Sequence, residues 1–351
     1  MSELSDFDYP LPQEQIAQKP AEPRDHSRLL IYDRKLKTIT DDYFYNISAY
    51  LPKDSVLAVN NSKVEKARML FGKKEVFITK TIDPVTVEAM IRPGKAFKPG
   101  KTVVLVPSLE HDSSPVEALT AEVLHIANDG LRTLRFNLPI DHPALESYRH
   151  TPFPPYIKPN EQLSDRYQTI FAKDQGSKAA PTAGLHFTNR VFSSLDQKGI
   201  SRAEVTLHVG LGTFAPVKTD RIQDHKMHSE WYSVSDHTAR FLNQASFITA
   251  VGTTTARVLE SEATRLQNNN TGHQAPFRSF SEAVTTTDIF ITPGYSFKAV
   301  DALITNFHLP KSTLLMMVAA FTGLDEMHRI YQHAIENKYR FYSFGDAMLL
   351  I

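Results

Sequence analysis

Residues 246–266 read SFITAVGTTTARVLESEATRL and hold a strand, a short loop and a helix in succession. The apolar run at 246–251 predicts a strand, which ends at Gly252. From Ala256 to Leu266, apolar residues recur every three or four positions, and this spacing predicts a helix with one buried face. A strand that passes through a short loop into a helix is the repeating unit of α/β folds.

Similar units lie on both sides of this segment in the chain. Residues 203–209, AEVTLHV, alternate between apolar and polar side chains and lead into the glycine-rich loop HVGLGTF at 208–214. DALIT, at 301–305, leads through NFHLP into an apolar helix that starts near Lys311. These units together predict an α/β main domain.

The chain between residues 61 and 150 has a different pattern. Five short strand-like runs are separated by turn sequences such as Arg92-Pro93-Gly94, and the segment has no convincing helix. This pattern predicts a small antiparallel β-barrel or a sandwich, and we expect the barrel. We therefore expect a discontinuous α/β catalytic domain of residues 1–60 and 151–351, with an all-β domain of residues 61–150 inserted into it.

The composition excludes several classes of protein. The chain has no cysteine, which excludes disulfides, thiol nucleophiles, iron–sulfur clusters and cysteine-ligated zinc. The 39 basic and 39 acidic residues balance, so we do not expect a nonspecific nucleic-acid binder. The longest apolar run, Leu314 to Phe321, is far shorter than the roughly 20 residues of a membrane helix. The acidic N-terminus has no apolar stretch, so we expect no secretory signal and a cytoplasmic protein.

Ligands of α/β domains bind in the loops that follow the carboxyl ends of the strands. Several loops here combine glycines, which permit close backbone approach, with threonines at a helix start, which suit a carboxylate or phosphate. The simpler interpretation of each loop is a tight turn or an ordinary helix cap. The candidate substrate-binding residues are Gly210, Gly212, Thr213, Thr253, Thr254, Arg257, Tyr295, Gly184, His186 and Lys311.

Some of these side chains have two specific interpretations. Arg257, near the first turn of its helix, either clamps a carboxylate ligand or forms a structural pair with Glu260. Tyr295 either stacks on a base or packs half-buried against the protein. Trp231, the only tryptophan, either packs against a ligand or belongs to the core. The sequence leaves these alternatives open.

Three histidines are candidates for acid–base catalysis. His308 stands at a predicted helix start, where the local potential lowers its pKa and favours a neutral imidazole. His228 and His208 are the other two, and a structural role is the alternative for each. His225 and His228 also suggest metal ligands, but their spacing does not match HExxH, so we expect no metal site.

A basic stretch lies in the first half of the predicted β domain. Residues 63–101 contain ten basic and four acidic residues, a net charge of +6 in a chain whose net charge is zero. Such an asymmetry fits contacts with the phosphates of a folded RNA, and a solvated surface is the alternative. The candidate RNA-binding residues are Lys63, Lys73, Lys74 and Arg92.

Considered together, these motifs resemble one enzyme family along nearly the whole chain. The family is the bacterial S-adenosylmethionine:tRNA ribosyltransferase-isomerase of queuosine biosynthesis. The motifs that carry the resemblance are DFDYPLP (6–12), PRDHSRLL (23–30), RPG (92–94), APTAGLHFT (180–188), TLHVGLGTF (206–214), HKMHSEWY (225–232), VGTTTARVLES (251–261), PGY (293–295), DALITNFHLPKSTLLMMVAAF (301–321) and YRFYSFGDAML (339–349). The chain departs from the family pattern in the segment 60–64. The family commonly has Asp and Arg there, where this chain has Asn61 and Lys63.

The resemblance implies an unusual reaction. S-adenosylmethionine donates its ribosyl group to 7-aminomethyl-7-deazaguanine at the wobble position of a tRNA. The product is epoxyqueuosine, and adenine and methionine are released. The sulfonium acidifies the ribose 5′ hydrogens, a base removes one, and the ring opens with loss of adenine. The tRNA amine then attacks the former 1′ carbon of the ribose, and epoxide closure expels methionine.

The implied reaction assigns roles to the candidate residues. His308 or His228 acts as the base or the acid, and the resemblance does not say which. Arg257 and the helix start at Thr253 and Thr254 hold the methionine carboxylate. The 210–214 loop and Tyr295 line the nucleoside pocket. S-adenosylmethionine is consumed as a substrate, so no cofactor is expected. We also expect the protein to be a monomer.

Two other functions remain open at the level of the sequence. A noncatalytic tRNA-binding protein would bind tRNA in a salt-dependent manner without consuming S-adenosylmethionine. A metal hydrolase would use His225, His228 and His208 as ligands. The number of loops suited to ligand binding disfavours the first, and the histidine spacing disfavours the second.

Overall fold

The computed structural model describes residues 3–107, 109–111, 114–116, 118–210, 212, 217, 219–269 and 278–351. The chain forms two compact units. One consists of Met1–Val64 and Pro154–Ile351, and the other of Glu65–Phe153. The sequence-based borders, after residues 60 and 150, lie within four residues of the borders between these units.

The strands of the described residues are, in chain order, β1 (Arg28–Asp33), β2 (Thr38–Tyr43), β3 (Val56–Asn60), β4 (Ser62–Val64), β5 (Arg68–Phe71), β6 (Lys74–Thr81), β7 (Thr86–Arg92), β8 (Thr102–Val106), β9 (Leu109–His111), β10 (Ser114–Val116), β11 (Leu119–Ile126), β12 (Arg132–Phe136), β13 (Arg149–His150), β14 (Asp174–Ser177), β15 (Ser201–Leu207), β16 (Glu230–Val234), β17 (Ile248–Val251), β18 (Ala283–Thr287), β19 (Ala302–Asn306) and β20 (Ala347–Leu350). The α-helices are α1 (Asn189–Gln197), α2 (Asp236–Asn243), α3 (Thr253–Asn269), α4 (Thr313–Thr322) and α5 (Leu324–Glu336). Short 3₁₀ helices span Leu4–Phe7, Gln13–Gln15, Arg24–His26, Phe44–Ala49, Gly94–Ala96, Pro143–Tyr148, Glu161–Leu163, Asp165–Tyr167, Thr182–His186 and Ile222–Asp224.

A nine-stranded sheet forms the frame of the first unit. Its strand order is β18-β16-β15-β3-β17-β19-β20-β1-β2. The four strands β15, β3, β17 and β19 are parallel to one another, whereas the β19–β20, β1–β2, β15–β16 and β16–β18 pairs are antiparallel. The predicted strand–loop–helix units are present, and the sheet that contains them is mixed.

Both faces of the central strands are buried. Every residue of β3 is buried, and Val56 and Ala58 face one core while Leu57 and Val59 face the other. Because successive side chains of a strand point to opposite faces, a strand covered on both sides is apolar throughout. Helices α3, α4 and α5 contribute to the first core, and α1 with the Phe44–Ala49 turn contributes to the second.

Helix α4 explains the longest apolar run of the sequence. Six of its residues are buried, so the helix lies inside the first core and shows no strong polar face. Ser312 caps it by accepting a hydrogen bond from the Leu315 N–H at 3.2 Å. None of the helices in the described part of the chain is long and apolar enough to cross a membrane.

The second unit is built on a seven-stranded antiparallel sheet. Its strand order is β13-β5-β6-β7-β12-β11-β8, and its core consists of inward-facing residues such as Met69, Val76, Val87 and Leu134. The all-β prediction agrees with this sheet. The predicted barrel does not: within the described residues the ladder is open, with β13 and β8 as its two edges. Five runs of residues reveal strand propensity, but closure depends on the pairing of edges that lie far apart in sequence.

Candidate functional site

A cleft opens at the carboxyl ends of the parallel strands in the first unit. The segments that follow β17 and β19 form two of its walls. Polar groups in the lining come from Thr182, Thr253, Thr254, Thr305, Asn306, His308, Ser312, Tyr156, Tyr342 and Ser343. This is the position at which ligands bind in open α/β sheets.

The start of α3 presents backbone donors and hydroxyls to this cleft. Gly252 adopts a φ of 87°, and its N–H donates to the Ile304 carbonyl at 2.8 Å. Its carbonyl accepts the first bond of the helix, from the Ala256 N–H at 3.1 Å. The N–H groups of the first helical residues have no acceptor within a helix, and Thr253 and Thr254 line the cleft. A carboxylate of a ligand fits this positive helix end.

Asn60 connects three elements beneath the cleft. Its Oδ1 accepts hydrogen bonds from the backbone N–H groups of Leu207 and Ser62, at 3.0 and 3.1 Å. Its Nδ2 donates to the Leu207 carbonyl at 3.0 Å and to the Thr254 hydroxyl at 3.4 Å. Because Asn60 is buried at the end of β3, these bonds fix the end of β15 relative to the start of α3.

His308 lies in the cleft lining and is buried. Burial lowers the pKa of His308 to about 3, so its imidazole is neutral near pH 7. Its Nε2 lies 2.7 Å from the Thr305 hydroxyl, and its backbone N–H donates to the Tyr331 hydroxyl at 2.9 Å. The sequence predicts a neutral imidazole from the helix start, whereas the structure makes burial the cause. The pKa of His308 thus lies well below the value near 7 that suits a general base at neutral pH.

His186 is held by two side chains, which points to a structural role. Asn306 donates from Nδ2 to His186 Nε2 at 2.9 Å, so the His186 Nδ1–H donates to the Ser27 hydroxyl at 2.7 Å. Burial lowers the pKa of His186 to about 3. Neighbouring Gly184 lies against other side chains, because a Cβ there would be 2.7 Å from Phe171 and 2.8 Å from Thr169. The predicted backbone cradle at Gly184 is therefore filled by protein atoms.

Arg257 forms a buried ion pair with Glu230, not with Glu260. The Glu230 side chain also accepts the Gly210 N–H at 2.8 Å, which ties the loop after β15 to α3. Glu260 instead accepts the backbone N–H groups of residues 298–300 and the Tyr295 hydroxyl. The predicted pair of Arg257 with Glu260 is therefore wrong, and Glu230 is the carboxylate that Arg257 contacts.

Glu230 is the site residue that the sequence reasoning missed as a partner of Arg257. It is 5% exposed and shares the inward face of β16 with Tyr232 and Val234. The sequence carries a signal for this position, because Glu230 alternates with two apolar residues in EWYSV and must therefore point into the core. A buried carboxylate requires a partner, and Arg257 supplies it.

A second, smaller cavity adjoins this ion pair. Gly212, His228, Glu230, Arg257 and Thr313 are among the residues that line it. A Cβ at Gly212 would be 2.2 Å from the His228 ring, so this position requires a glycine. The cavity thus brings together three of the predicted site residues, Gly212, His228 and Arg257. Thr213 lies outside the described residues.

Three other predicted residues do not line these two cavities. His208 stacks on Trp231, with ring centroids 4.8 Å apart and an angle of 15° between the rings. Tyr295 donates its hydroxyl to Glu260 at 2.8 Å, and burial together with the Glu260 carboxylate raises the pKa of Tyr295. Lys311 pairs with Asp8 at 2.7 Å on the surface. Each of these side chains contacts a partner outside the two cavities. Local spacing in the sequence does not reveal these partners, because they depend on tertiary packing.

The predicted RNA-binding residues belong to both units. Lys63 lies in β4 of the first unit, whereas Lys73, Lys74 and Arg92 lie in the second. Lys73 and Arg92 are exposed, and Lys74 donates to the Val104 carbonyl at 2.9 Å. The prediction that all four lie on the inserted domain is therefore wrong for Lys63.

Metal ligation was one of the alternatives from the sequence. Within the ranges that the structure describes, no three histidine, aspartate or glutamate side chains form a group suited to a metal ion. His225 packs edge-on against Phe290, with ring centroids 5.5 Å apart. Burial and the nearby His228 lower the pKa of His225.

Comparison with known proteins identifies the family. Residues 4–350 match the model of the family described as queuosine biosynthesis protein. An S-adenosylmethionine:tRNA ribosyltransferase-isomerase of Thermotoga petrophila is 45% identical over 99% of both chains, and one of Carboxydothermus hydrogenoformans is 43% identical over the same shares. A crystal structure of S-adenosylmethionine tRNA ribosyltransferase from Thermotoga maritima matches with a TM-score of 0.55 and 37% identity, over 99% of this chain and 100% of that one. The chain therefore belongs to the queuosine biosynthesis protein family.

Proposed function

We propose that this chain is an S-adenosylmethionine:tRNA ribosyltransferase-isomerase. It transfers and isomerises the ribosyl moiety of S-adenosylmethionine onto 7-aminomethyl-7-deazaguanine at the tRNA wobble position. The products are epoxyqueuosine in the tRNA, adenine and methionine. The observation that carries the proposal is the cleft at the carboxyl ends of the parallel strands, in a chain that matches this family from end to end.

The start of α3 holds the methionine carboxylate in this proposal. Thr253 and Thr254 line the cleft, and the positive end of a helix of 17 residues favours an anion there. Arg257 is engaged by Glu230, so its role is to keep the second cavity and the Gly210 loop in place. A direct contact between Arg257 and the carboxylate would require the Glu230 pair to loosen.

The two histidines have different surroundings and suit different proton transfers. His308 is neutral and hydrogen-bonded to Thr305, so it acts as a proton acceptor or as a neutral donor. His228 lines the second cavity beside Glu230 and Arg257. We assign the proton transfers to these two residues, and general acid–base catalysis of this kind contributes about 10²–10⁴-fold to a rate.

The proposal also covers the partners of the enzyme. Lys63, Lys73, Lys74 and Arg92 contact tRNA phosphates through electrostatic attraction. We expect the enzyme to act as a monomer. S-adenosylmethionine is a substrate, so the proposal needs no cofactor, and a tRNA substrate places the enzyme in the cytoplasm.

One incubation tests the function. Purified protein is mixed with S-adenosylmethionine and a tRNA that carries 7-aminomethyl-7-deazaguanine; adenine is measured by chromatography and the digested nucleosides by mass. Adenine together with a nucleoside that carries the added epoxycyclopentanediol is the expected result. Salt-sensitive tRNA binding without adenine release would favour a binding protein instead. Activity that is lost in chelator and restored by a metal would favour the hydrolase alternative.

A further inference from the structure

A pair of stacked aromatic rings lies on an open part of the nine-stranded sheet. His208 follows β15, Trp231 lies in β16, and the His208 N–H donates to the Trp231 carbonyl at 3.0 Å. Their rings are nearly parallel, at 15°, with centroids 4.8 Å apart. Trp231 remains 38% exposed although it is a large aromatic side chain. We call His208 and Trp231 the aromatic platform.

The face that carries the platform is distinct from the face that carries the ion pair. Glu230 and Tyr232 are buried on the core side of β16, so Trp231 between them points to the other side. Trp231 is opposite Thr286 in the neighbouring strand β18, where Val284 is 70% exposed. This part of the sheet is therefore accessible to a macromolecule.

The platform is held rigidly from beneath. Gly176 of β14 adopts a φ of 138°, and a Cβ there would lie 2.8 Å from the His208 ring. The His208 ring is thus placed between the Gly176 backbone and the indole of Trp231. A pre-oriented aromatic surface loses little conformational entropy when a planar ligand stacks on it.

A lysine lies close to the aromatic platform along the paired strands β4 and β14. Lys63 of β4 is opposite Gln175, the residue before Gly176. Among the described residues, the Lys63 side chain makes no hydrogen bond or ion pair, and the Glu204 carboxylate is already paired with Lys173 at 2.6 Å. An exposed aromatic ring combined with an available cation is the pattern that binds single-stranded nucleic acid, because the ring stacks on a base and the cation meets a phosphate.

We propose that the aromatic platform binds an unpaired base of the RNA substrate, next to the nucleotide that is modified. The proposal rests on the proposed function, which supplies a tRNA as the partner. Glu230 and Trp231 are consecutive residues at the start of β16, so a base on the platform lies at the same strand end as the Glu230–Arg257 pair but on the opposite face of the sheet. The platform thereby assigns His208 to substrate binding and not to proton transfer.

The single tryptophan makes the platform directly observable. Titration of the protein with a short, unmodified anticodon stem–loop RNA is expected to quench the fluorescence of Trp231. An abasic nucleotide at one loop position next to the wobble nucleotide should abolish the quenching, whereas an abasic nucleotide in the stem should not. Titration with S-adenosylmethionine alone is expected to leave the fluorescence unchanged. Quenching by S-adenosylmethionine, or quenching that no abasic loop nucleotide affects, would overturn the proposal.

Substitutions test the same contact without a spectroscopic probe. Trp231→Ala is expected to raise the KM for tRNA about tenfold or more, since base–aromatic stacking contributes strongly to single-strand binding. Trp231→Phe keeps a ring and should restore most of the affinity. Tyr43→Ala is the matched control, because Tyr43 is 46% exposed and stacks on Tyr45 at the opposite edge of the same sheet.

The outcomes separate this proposal from the proposed function. A tRNA KM within twofold of wild type in Trp231→Ala, or equal losses in the Ala and Phe variants, would refute the platform while adenine release by the wild type stands. No adenine release by the wild type would refute the proposed function, and the stem–loop titration would still decide whether the platform binds a base.

Discussion

Helix α3 in the first unit and the strand ends of the second unit differ in how far their charged side chains are exposed to solvent. Arg257, Glu260 and Glu262 are at most 4% exposed, and each has fixed partners. Lys73 and Arg92 of the second unit are exposed to solvent. A buried charge depends on one particular partner, whereas exposed charges act through a screened field to which each contributes a little.

The buried residues of α3 form a framework around the proposed site. Glu262 accepts the Tyr232 hydroxyl at 2.5 Å and pairs with Arg265, and Glu260 holds the backbone of residues 298–300. Arg257 and Glu262 thus anchor β16, and Glu260 anchors the segment before β19. Because these anchors are specific, we expect single substitutions there to have large effects and single substitutions on the second unit to have small ones.

The largest expected effect belongs to Glu230→Gln. The amide keeps the shape of the side chain but leaves the Arg257 charge buried without a counter-charge, which costs about 3–5 kcal/mol of unfolding free energy in comparable pairs. The Nε of Arg257 already has no hydrogen-bond partner among the described residues. No bond of this atom therefore compensates for the loss of the Glu230 charge. Urea unfolding measures the loss, and adenine release should fall with it.

An exposed glutamate provides the control for this experiment. Glu282→Gln changes the same functional group on the surface and should alter the unfolding free energy by less than about 0.5 kcal/mol. Equal stabilities of the Glu230 and Glu282 variants would show that the buried pair is not specific, and the contrast between the two regions would then be wrong.

The next effect concerns catalysis at His308. Removal of the imidazole in His308→Ala should lower the rate of adenine release by about a hundredfold or more, the usual contribution of a general acid or base. The affinity for tRNA should remain unchanged, because His308 lines the cleft in the first unit and is buried. Single-turnover kinetics with saturating tRNA measure the rate, and His237→Ala on the exposed face of α2 is the control. Wild-type turnover in His308→Ala would remove this residue from the mechanism.

A smaller effect appears in the pH dependence of stability. Burial lowers the pKa of His186 to about 3 from an unfolded value of 6.5, so between these values the unfolded chain binds more protons. The stabilisation is therefore complete above pH 6.5 and is lost as the pH falls towards 3. At pH 5 this loss is about 2 kcal/mol.

His186→Gln tests this linkage. The difference between the unfolding free energies at pH 7.5 and pH 5 should be smaller by about 2 kcal/mol in the variant than in the wild type. His237→Gln, at an exposed position, should keep the wild-type difference. Identical pH dependence of the wild type and His186→Gln would contradict the buried neutral state.

The smallest effect belongs to the exposed cations of the second unit. The double substitution of Lys73 and Lys74 by glutamine should lower the slope of log Kd for tRNA against log salt concentration by about one for each phosphate contact removed. The KM for S-adenosylmethionine should not change. Lys53→Gln, an exposed lysine of the first unit, should leave the slope as it is. If the slope falls in Lys53→Gln but not in the double variant of Lys73 and Lys74, the RNA contacts lie elsewhere.

Local patterns in the sequence were enough for the main elements and for the family. The run 246–266 contains β17, Gly252 and most of α3 as predicted, because apolar periodicity is a local property that survives in the fold. The alternation in AEVTLHV likewise matches the burial of Ala203, Val205 and Leu207 in β15. The motifs along the whole chain identified the family for the same reason, since each is a short contiguous stretch.

Partnerships between distant residues were decided only by the tertiary structure. The sequence suggested that Arg257 pairs with Glu260, its neighbour on α3. In the structure Arg257 pairs with Glu230 of β16, which is 27 positions away in the chain. The same holds for His186 with Ser27 and Asn306, for His208 with Trp231 and for the open edges of the second sheet. A sequence states which side chains point inward, but which of them meet depends on strand order and on packing between elements, and neither is encoded in local spacing.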